Sequence, residues 1–252
     1  MGISRIIGSA TELPAAAAGP TLIAEMAGRA LRRACDEAGI SPSQVGLIVT
    51  LSVSPSHQGG RADIVGPRFG YVLQRDLAIE GAFVLDLIDN DWAFALDQTI
   101  LFAQGQGIAY AALMRGENLA RMRTPHPAFR DGAGALLVEI GDERSDAAFV
   151  SLGTEPFLTL DLEGDGARMR DNGLPAEIPE AGCALLETGG HDRVYVEGWA
   201  PGWRADDAGP AVMGEFGIFA IPQLVSGGSG ERCALVSLDP FKARLGRIVV
   251  AL

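Results

Sequence analysis

Two carboxylates and an amide stand where an apolar strand gives way to a helix. In GAFVLDLIDNDWAFALD, residues 81–97, the run 82–87 has the pattern of a buried strand, and a second apolar run begins at Trp92. Asp89, Asn90 and Asp91 lie between them. If the side chains of Asp89 and Asp91 met in one cleft, they could act as a paired acid and base.

Helix capping is the competing interpretation of these three residues, and the pattern favours it. Asp and Asn are preferred N-cap residues, and a carboxylate suits the positive end of a helix. Side chains at positions i and i+2 of a helix diverge by about 200°, which works against a paired site at Asp89 and Asp91. A cap of this kind contributes about 1 kcal/mol to stability.

Other residues able to do chemistry are isolated in the sequence. The histidines are His57, His126 and His191. None of them is spaced from another potential ligand as metal ligands are. The cysteines are Cys35, on the apolar stripe of a helix, and Cys183 and Cys233, in apolar settings typical of a core. Residues 161–172, DLEGDGARMRDN, match a calcium loop in part, but Asn172 stands where a bidentate Glu belongs. An acidic surface loop is the favoured interpretation, and we expect neither a metal nor a cofactor.

Composition excludes several classes of partner. The chain has 252 residues and a formal charge of −12, which argues against nucleic acid and against an anionic membrane surface. Three widely spaced cysteines and no CxxC pair favour a reducing cytoplasm. No apolar run approaches membrane-spanning length, and the first residues lack the continuous apolar segment of a signal peptide.

The elements that would position these residues alternate between strand and helix. The pattern predicts strands at 3–14, 45–55, 82–87, 107–118 and 131–140, with helices at 21–39 and about 92–104. After residue 145 it predicts an irregular stretch at 151–190, a strand at 193–199, a short helix at 214–225 and a terminal strand pair. The chain is therefore expected to be α/β, with one half at 1–145 and a shortened second half at 146–252.

Several segments resemble the β-ketoacyl-acyl-carrier-protein synthase III family. They are LIAEMAGRALRRACDEAGISPSQVGLIVTLSVSP, AFVLDLIDNDWAFALDQTI, FRDGAGALLVE and, more loosely, the C-terminal GERCALVSLDPFKARLGRIVVAL. The resemblance implies a thiolase-like layered αβαβα fold built from two related halves. It covers residues 1–145 well and residues 191–252 loosely, and it leaves the middle unmatched.

The resemblance also implies which catalytic groups are missing. The family's nucleophilic Cys at a helix N-terminus falls on Asp89, Asn90 or Asp91. Its catalytic His falls on Gly198 or Trp199, and its Asn falls on Glu215. With all three roles empty, acyl transfer by this chain alone is not expected.

Within the family the chain most resembles PqsB-type subunits, which lack the nucleophilic Cys, of heterodimeric 2-alkyl-4-quinolone synthases. This implies a heterodimer or larger assembly with a Cys-containing synthase III-like subunit. The expected interface strand carries Phe83, Val84, Leu85 and Leu87. Two alternatives stay open: a non-catalytic module that binds an acyl group or a carrier protein, and a homodimer with altered chemistry at Asp89 and Asp91.

Overall fold

The described part of the chain forms helices on both faces of a mixed sheet. The structure is a computed structural model that describes residues 2–14, 23–52, 56–58, 61–63, 69–88, 91–117, 122–124, 131–163, 166–187, 189–196 and 230–252. The helices within these ranges are α1 (Ile23–Ala38), α2 (Gly70–Asp76), α3 (Trp92–Gln106) and α4 (Glu180–Leu186). The strands are β1 (Arg5–Glu12), β2 (Leu47–Ser52), β3 (Ser56–Gln58), β4 (Arg61–Asp63), β5 (Phe83–Ile88), β6 (Tyr110–Glu117), β7 (Met122–Thr124), β8 (Gly132–Glu139), β9 (Asp146–Ser151), β10 (Leu158–Glu163), β11 (Gly166–Asp171), β12 (Arg193–Val196), β13 (Arg232–Asp239) and β14 (Arg244–Ala251).

Nine of these strands form the main sheet, in the order β12-β13-β14-β1-β8-β6-β2-β5, with β9 also paired to β14. Within this sheet β1, β2, β5, β6 and β8 pair with one another, and so do β9, β12, β13 and β14. The two groups are joined where Arg5 of β1 pairs with Ala251 of β14. At the far end, β5 pairs in parallel with β2, with Leu85 opposite Val49.

Helix α3 lies between the two groups of strands. Its buried residues pack on β2 and β6 and also on β13 and β14, within one apolar cluster. Helices α1 and α2 cover the opposite face of the first group. Helix α4 and the β10–β11 hairpin cover the outer face of the second. The layers therefore follow one another as helix, strand, helix, strand, helix, which confirms the expected α/β architecture.

The amphipathic pattern of α1 sets its orientation, since the predicted stripe from Met26 through Leu31 to Cys35 is buried. Gly39 follows the helix with φ of 69°, a left-handed conformation that suits glycine at a helix end. Ser41 then caps a short 3-10 turn, Pro42–Gln44, that leads into β2. These local signals explain why the first strand–helix–strand unit was predicted within a few residues.

The middle of the chain is more regular than its composition indicates. Residues 151–190 were expected to be irregular, but they contain the end of β9, the β10–β11 hairpin and α4. Residues 161–163 and 166–171 of the candidate calcium loop lie in the two strands of the hairpin, so the acidic surface loop favoured there is wrong for these residues. Asp161, a candidate calcium ligand, forms an ion pair with Arg170. The short helix predicted at 214–225 lies outside the described residues.

Candidate functional site

Asp91 occupies the N-cap of α3. Its side chain accepts a hydrogen bond from the backbone N–H of Phe94 at 2.9 Å, and its own carbonyl accepts from Ala95. The capping interpretation is therefore confirmed for Asp91. Asp89 and Asn90 lie outside the described residues.

A second side chain completes the start of α3. Ser237 of β13 is fully buried, and its hydroxyl accepts a hydrogen bond from the backbone N–H of Ala93 at 3.2 Å. The first turn of a helix presents N–H groups that have no partner within the helix. In α3 the donors of Ala93 and Phe94 are both taken, by Ser237 and Asp91, so neither is free for an external anion.

The Asp91 carboxylate is also held by a charge from β14. Arg244 donates to Asp91 Oδ2 from Nε at 2.9 Å and from Nη2. Asp91 is fully buried, whereas 27% of the Arg244 side chain is exposed. Both donors reach the same oxygen, while Oδ1 accepts from Phe94, and hydrogen bonds between charged groups of this kind are stronger than neutral ones.

Two aromatic rings enclose this ion pair. The Arg244 guanidinium lies 5.0 Å from the ring centroid of Phe94 and 5.4 Å from that of Phe149. The two rings themselves meet edge to face at 5.7 Å. The Phe149 ring packs directly against the backbone of Gly246, because a Cβ at that position would lie 2.9 Å from the ring. The N-terminus of α3 is thus packed, charge-paired and hydrogen-bonded by this chain's own side chains.

A further ion pair is buried near the carboxyl ends of β2 and β6. Arg115 Nε lies 3.4 Å from Glu117 Oε1, and both side chains are almost wholly buried. Ser52 donates to the same carboxylate at 3.3 Å. Arg115 and Glu117, like Arg244, are not among the site residues predicted from the sequence. For Arg115 the available signal was a charged residue within the apolar run of β6, which requires a partner when buried. Glu117 ends β6 and Arg244 begins β14, so their positions in the sequence give a weaker signal.

The remaining predicted positions are not brought together by the described structure. Gly198, Trp199 and Glu215 lie outside the described residues. Within the described ranges, no group of three or more His, Cys, Asp or Glu side chains is placed to hold a metal ion. In the same ranges, no helix combines the length and apolarity needed to cross a membrane.

The three cysteines differ in environment, which corrects one expectation. Cys35 and Cys233 are buried as predicted, but Cys183 on α4 is exposed and is not part of the core. Burial raises the pKa of Cys35 to about 11, with a smaller contribution from Asp36. Burial likewise raises the pKa of Cys233 to about 12. Neither buried thiol is activated as a nucleophile, because a thiol reacts as its thiolate.

This difference predicts how the thiols react. At neutral pH the native protein should titrate rapidly with one equivalent of a disulfide reagent, at Cys183, and after denaturation with three. Cys183→Ser should remove the rapid phase and leave the fluorescence and circular dichroism spectra unchanged. Rapid reaction of a second thiol in the native protein would contradict the burial of Cys35 and Cys233.

Strand β5 ends the main sheet with an apolar edge. Phe83 is 48% exposed, and Val84, Leu85 and Leu87 are half-buried. Phe83 packs edge to face on Phe102 of α3, with ring centroids 5.4 Å apart. Among the described strands only β2 pairs with β5. The backbone edge of β5 that is opposite β2 therefore has no partner strand among the described residues.

Asp86 does not interrupt this apolar edge, because its carboxylate points into the protein. It accepts hydrogen bonds from the Thr50 hydroxyl at 2.5 Å and from the Gly70 backbone N–H at 3.0 Å. These contacts tie β5 to β2 and to the start of α2. Val84 lies on the same face as Asp86, toward Gly70 of α2, whereas Leu85 and Leu87 pack against the apolar cluster that contains α3. Of the four apolar side chains of this strand, Phe83 is therefore the most exposed.

Comparison with known proteins identifies relatives over part of the chain. The 2-heptyl-4(1H)-quinolone synthase subunit PqsB of Pseudomonas aeruginosa is 36% identical over an alignment of 168 residues, gaps included, which covers 60% of this chain and 58% of that protein. The β-ketoacyl-acyl-carrier-protein synthase III of Thioalkalivibrio sulfidiphilus is 32% identical over an alignment of 127 residues, gaps included, which covers 48% of this chain and 37% of that enzyme. The alignments thus span about half the length of these curated relatives. No family model matches the chain.

The fold is shared over a greater length than the sequence similarity. The crystal structure of 3-oxoacyl-acyl-carrier-protein synthase III from Aquifex aeolicus superposes with a TM-score of 0.68 at 15% identity, covering 99% of this chain and 100% of that one. The chain therefore has the thiolase-like fold of the β-ketoacyl-acyl-carrier-protein synthase III proteins, and its sequence resembles both that family and the quinolone synthase subunit PqsB.

Proposed function

We propose that this chain is a non-catalytic, synthase III-like subunit that pairs with a Cys-containing synthase subunit to form a condensing enzyme. The observation that carries the proposal is the N-terminus of α3. Of the three positions considered for the lost nucleophile, Asp91 is the one that the structure describes, and it lies at that helix start. Its carboxylate is buried, caps the helix and pairs with Arg244.

A carboxylate held in this way is unsuited to acyl transfer. The reaction needs a nucleophile that is activated where it meets the thioester, and donors aimed at the oxygen on which negative charge develops. Here the Phe94 and Ala93 N–H groups are occupied by Asp91 and Ser237. A further anion could bind at this helix start only by displacing the Asp91 carboxylate, and it would be repelled by the negative charge of that carboxylate.

In this proposal the chemistry belongs to the partner. The partner's Cys accepts an acyl group from a thioester, which releases the thiol of the donor. A β-keto acid then loses CO2 and forms a carbon–carbon bond with the carbonyl carbon of that acyl group, which releases the Cys thiol. This chain contributes architecture, by completing the assembly and supporting the partner's pocket. The name of its relative PqsB indicates the product class, which we infer to be a secondary metabolite such as a 2-alkyl-4-quinolone.

The apolar edge of β5 supports pairing with another chain. An exposed strand edge with apolar side chains is unfavourable in water and is normally covered or paired. Phe83 provides a large aromatic side chain at this edge, of the type enriched in binding hot spots. We propose that β5, with Phe83, Val84, Leu85 and Leu87, lies in the interface with the synthase subunit.

The organisation of the chain is consistent with this role. We assign residues 1–145 and 146–252 to the two related halves, the second shortened, because the strands on each side of that boundary pair mainly among themselves. We place the assembly in the cytoplasm, where three free thiols such as Cys35, Cys183 and Cys233 remain reduced.

The alternatives receive less support from the geometry. Altered chemistry at Asp89 and Asp91 needs a carboxylate that can exchange protons with a substrate, but Asp91 is enclosed by Arg244, Phe94 and Phe149. A module that binds an acyl group at the same helix start would have to displace the Asp91 carboxylate. A homodimer would use the same β5 edge, and the mass of the purified species distinguishes it.

The test is to express this chain with and without a Cys-containing synthase III-like gene from its neighbourhood, and to measure the mass of each purified species in solution. A stable mixed assembly that turns over an acyl thioester, with activity lost when the partner's Cys is replaced by Ala, supports the proposal. A stable homodimer that ignores the partner, or turnover by this chain alone, would overturn it.

A further inference from the structure

A buried arginine on β14 joins the strand to the segment that precedes β12. Arg247 is fully buried, on the face of β14 opposite Arg244. Its Nη1 lies 3.4 Å from Asp146 Oδ1 at the start of β9. Its Nη2 donates to the carbonyl oxygen of Gly189 at 3.1 Å and lies 3.3 Å from His191 Nδ1.

The contact between Arg247 and His191 requires one protonation state of the histidine. A guanidinium only donates hydrogen bonds, so Nδ1 of His191 must accept, and the ring must be neutral with its proton on Nε2. When the ring is protonated, both nitrogens carry hydrogens. The N–H on Nδ1 would then face the Nη2 donor, and two positive charges would lie side by side.

The charged groups around His191 have opposing effects on its protonation. Burial and the positive charge of Arg247 hold the pKa of His191 below its ordinary 6.5, in that order of importance. The carboxylates of Asp146 and Asp192 act in the opposite direction and offset part of this effect. The neutral form therefore predominates at neutral pH, where the contact is intact.

The segment held by this contact, residues 189–192, leads directly into β12. The Asp192 N–H donates to the carbonyl oxygen of Arg232 at 2.7 Å, and the Asp192 carboxylate accepts from the Arg232 N–H at 2.9 Å. In the described sheet, β12 is the terminal strand and pairs with β13. Residues 189–192 thus connect a buried arginine to the edge of the sheet.

We propose that His191 and Arg247 form a pH-sensitive latch, in which protonation of His191 releases residues 189–192 and loosens β12 at the sheet edge. The stability that the contact provides is complete above pH 6.5 and is lost as the pH falls below that value, because the unfolded segment then binds a proton that the folded segment disfavours. This inference does not depend on the proposed function.

Hydrogen exchange measured by mass spectrometry at pH 7.5 and pH 5.5, corrected for the intrinsic exchange rate, tests the latch. The protection of a peptide spanning residues 189–196 should fall by up to about tenfold at the lower pH, the bound set by an exposed histidine with its ordinary pKa. Peptides from the paired cores of β13 and β14 should keep their protection.

His191→Gln is the matched variant, because its amide oxygen accepts from Arg247 at both pH values. Its protection should be independent of pH over this range. Equal loss of protection in the variant and the unsubstituted protein would overturn the proposal, as would no loss in either. Titration of the His191 ring by NMR gives a second test, and a midpoint at or above pH 6.5 would also overturn it.

Discussion

Asp91→Ala should lower the free energy of unfolding by about 3 kcal/mol. Removing one member of a buried ion pair typically costs about 3 to 5 kcal/mol, and losing a cap costs about 1 kcal/mol. We take the lower end because 27% of the Arg244 side chain is exposed and water can solvate part of the remaining charge. The measurement is chemical denaturation of the purified protein, followed by circular dichroism.

Three further variants identify the source of this loss. Asp91→Asn keeps a capping oxygen but loses the charge, so it should cost less than Asp91→Ala. The double variant Asp91→Ala with Arg244→Met should be more stable than the sum of the single losses predicts, because it leaves no unpaired charge. Asp36→Ala, at an exposed carboxylate on α1, should change stability by less than about 0.5 kcal/mol.

The same substitution distinguishes structure from catalysis at Asp91. In the assembled complex, turnover by the Asp91→Ala protein should stay within about twofold of the unsubstituted complex, because no step depends on this carboxylate. A loss of about a thousandfold in a fully assembled complex is the size expected for a group that acts in the reaction. Such a loss would contradict the proposed non-catalytic role.

Phe83→Lys should weaken assembly with the synthase partner by about a hundredfold while leaving the fold intact. Phe83 is 48% exposed, so the lysine can reach water in the free chain, and we expect a stability change below about 1 kcal/mol. In the assembly the charge would be buried in an apolar interface, where loss of an aromatic anchor costs at least about 2 kcal/mol. Analytical ultracentrifugation over a concentration series measures the change.

Leu13→Lys is the matched control for this prediction. Leu13 is also a large, exposed apolar residue, at 56%, but it follows β1, which is separated from β5 by three strands of the sheet. The control should assemble like the unsubstituted chain. If Leu13→Lys weakened assembly as much as Phe83→Lys did, the interface would not lie at β5. If neither substitution had an effect, β5 would be excluded as the interface strand.

Much of the fold could be predicted because its first half follows local rules. The stripe on α1, the turn at Ser41 and Pro42, and the apolar runs of β2, β5 and β6 are each encoded within a few residues. The β10–β11 hairpin was missed because Gly, Asp and Arg dominate the segment from Gly164 to Asp171. The alternation of apolar and polar residues in LTLDLE, residues 158–163, was an available strand signal. Leu158, Leu160 and Met169 contact the cluster formed with β13, β14 and α4.

The sequence by itself predicted a helix cap among Asp89, Asn90 and Asp91, because a carboxylate or amide directly before an apolar helical run can satisfy the helix's first N–H groups wherever that helix is packed. The structure identifies Asp91 as the N-cap. Through the resemblance, the sequence also predicts that the residues expected to carry out acyl transfer are absent. Only the tertiary structure decided that Asp91 is buried against Arg244, which lies 153 positions away in the sequence. No local pattern links these residues, because their contact forms only when α3 packs between the two groups of strands. A charge that is buried by this packing requires a partner of opposite sign.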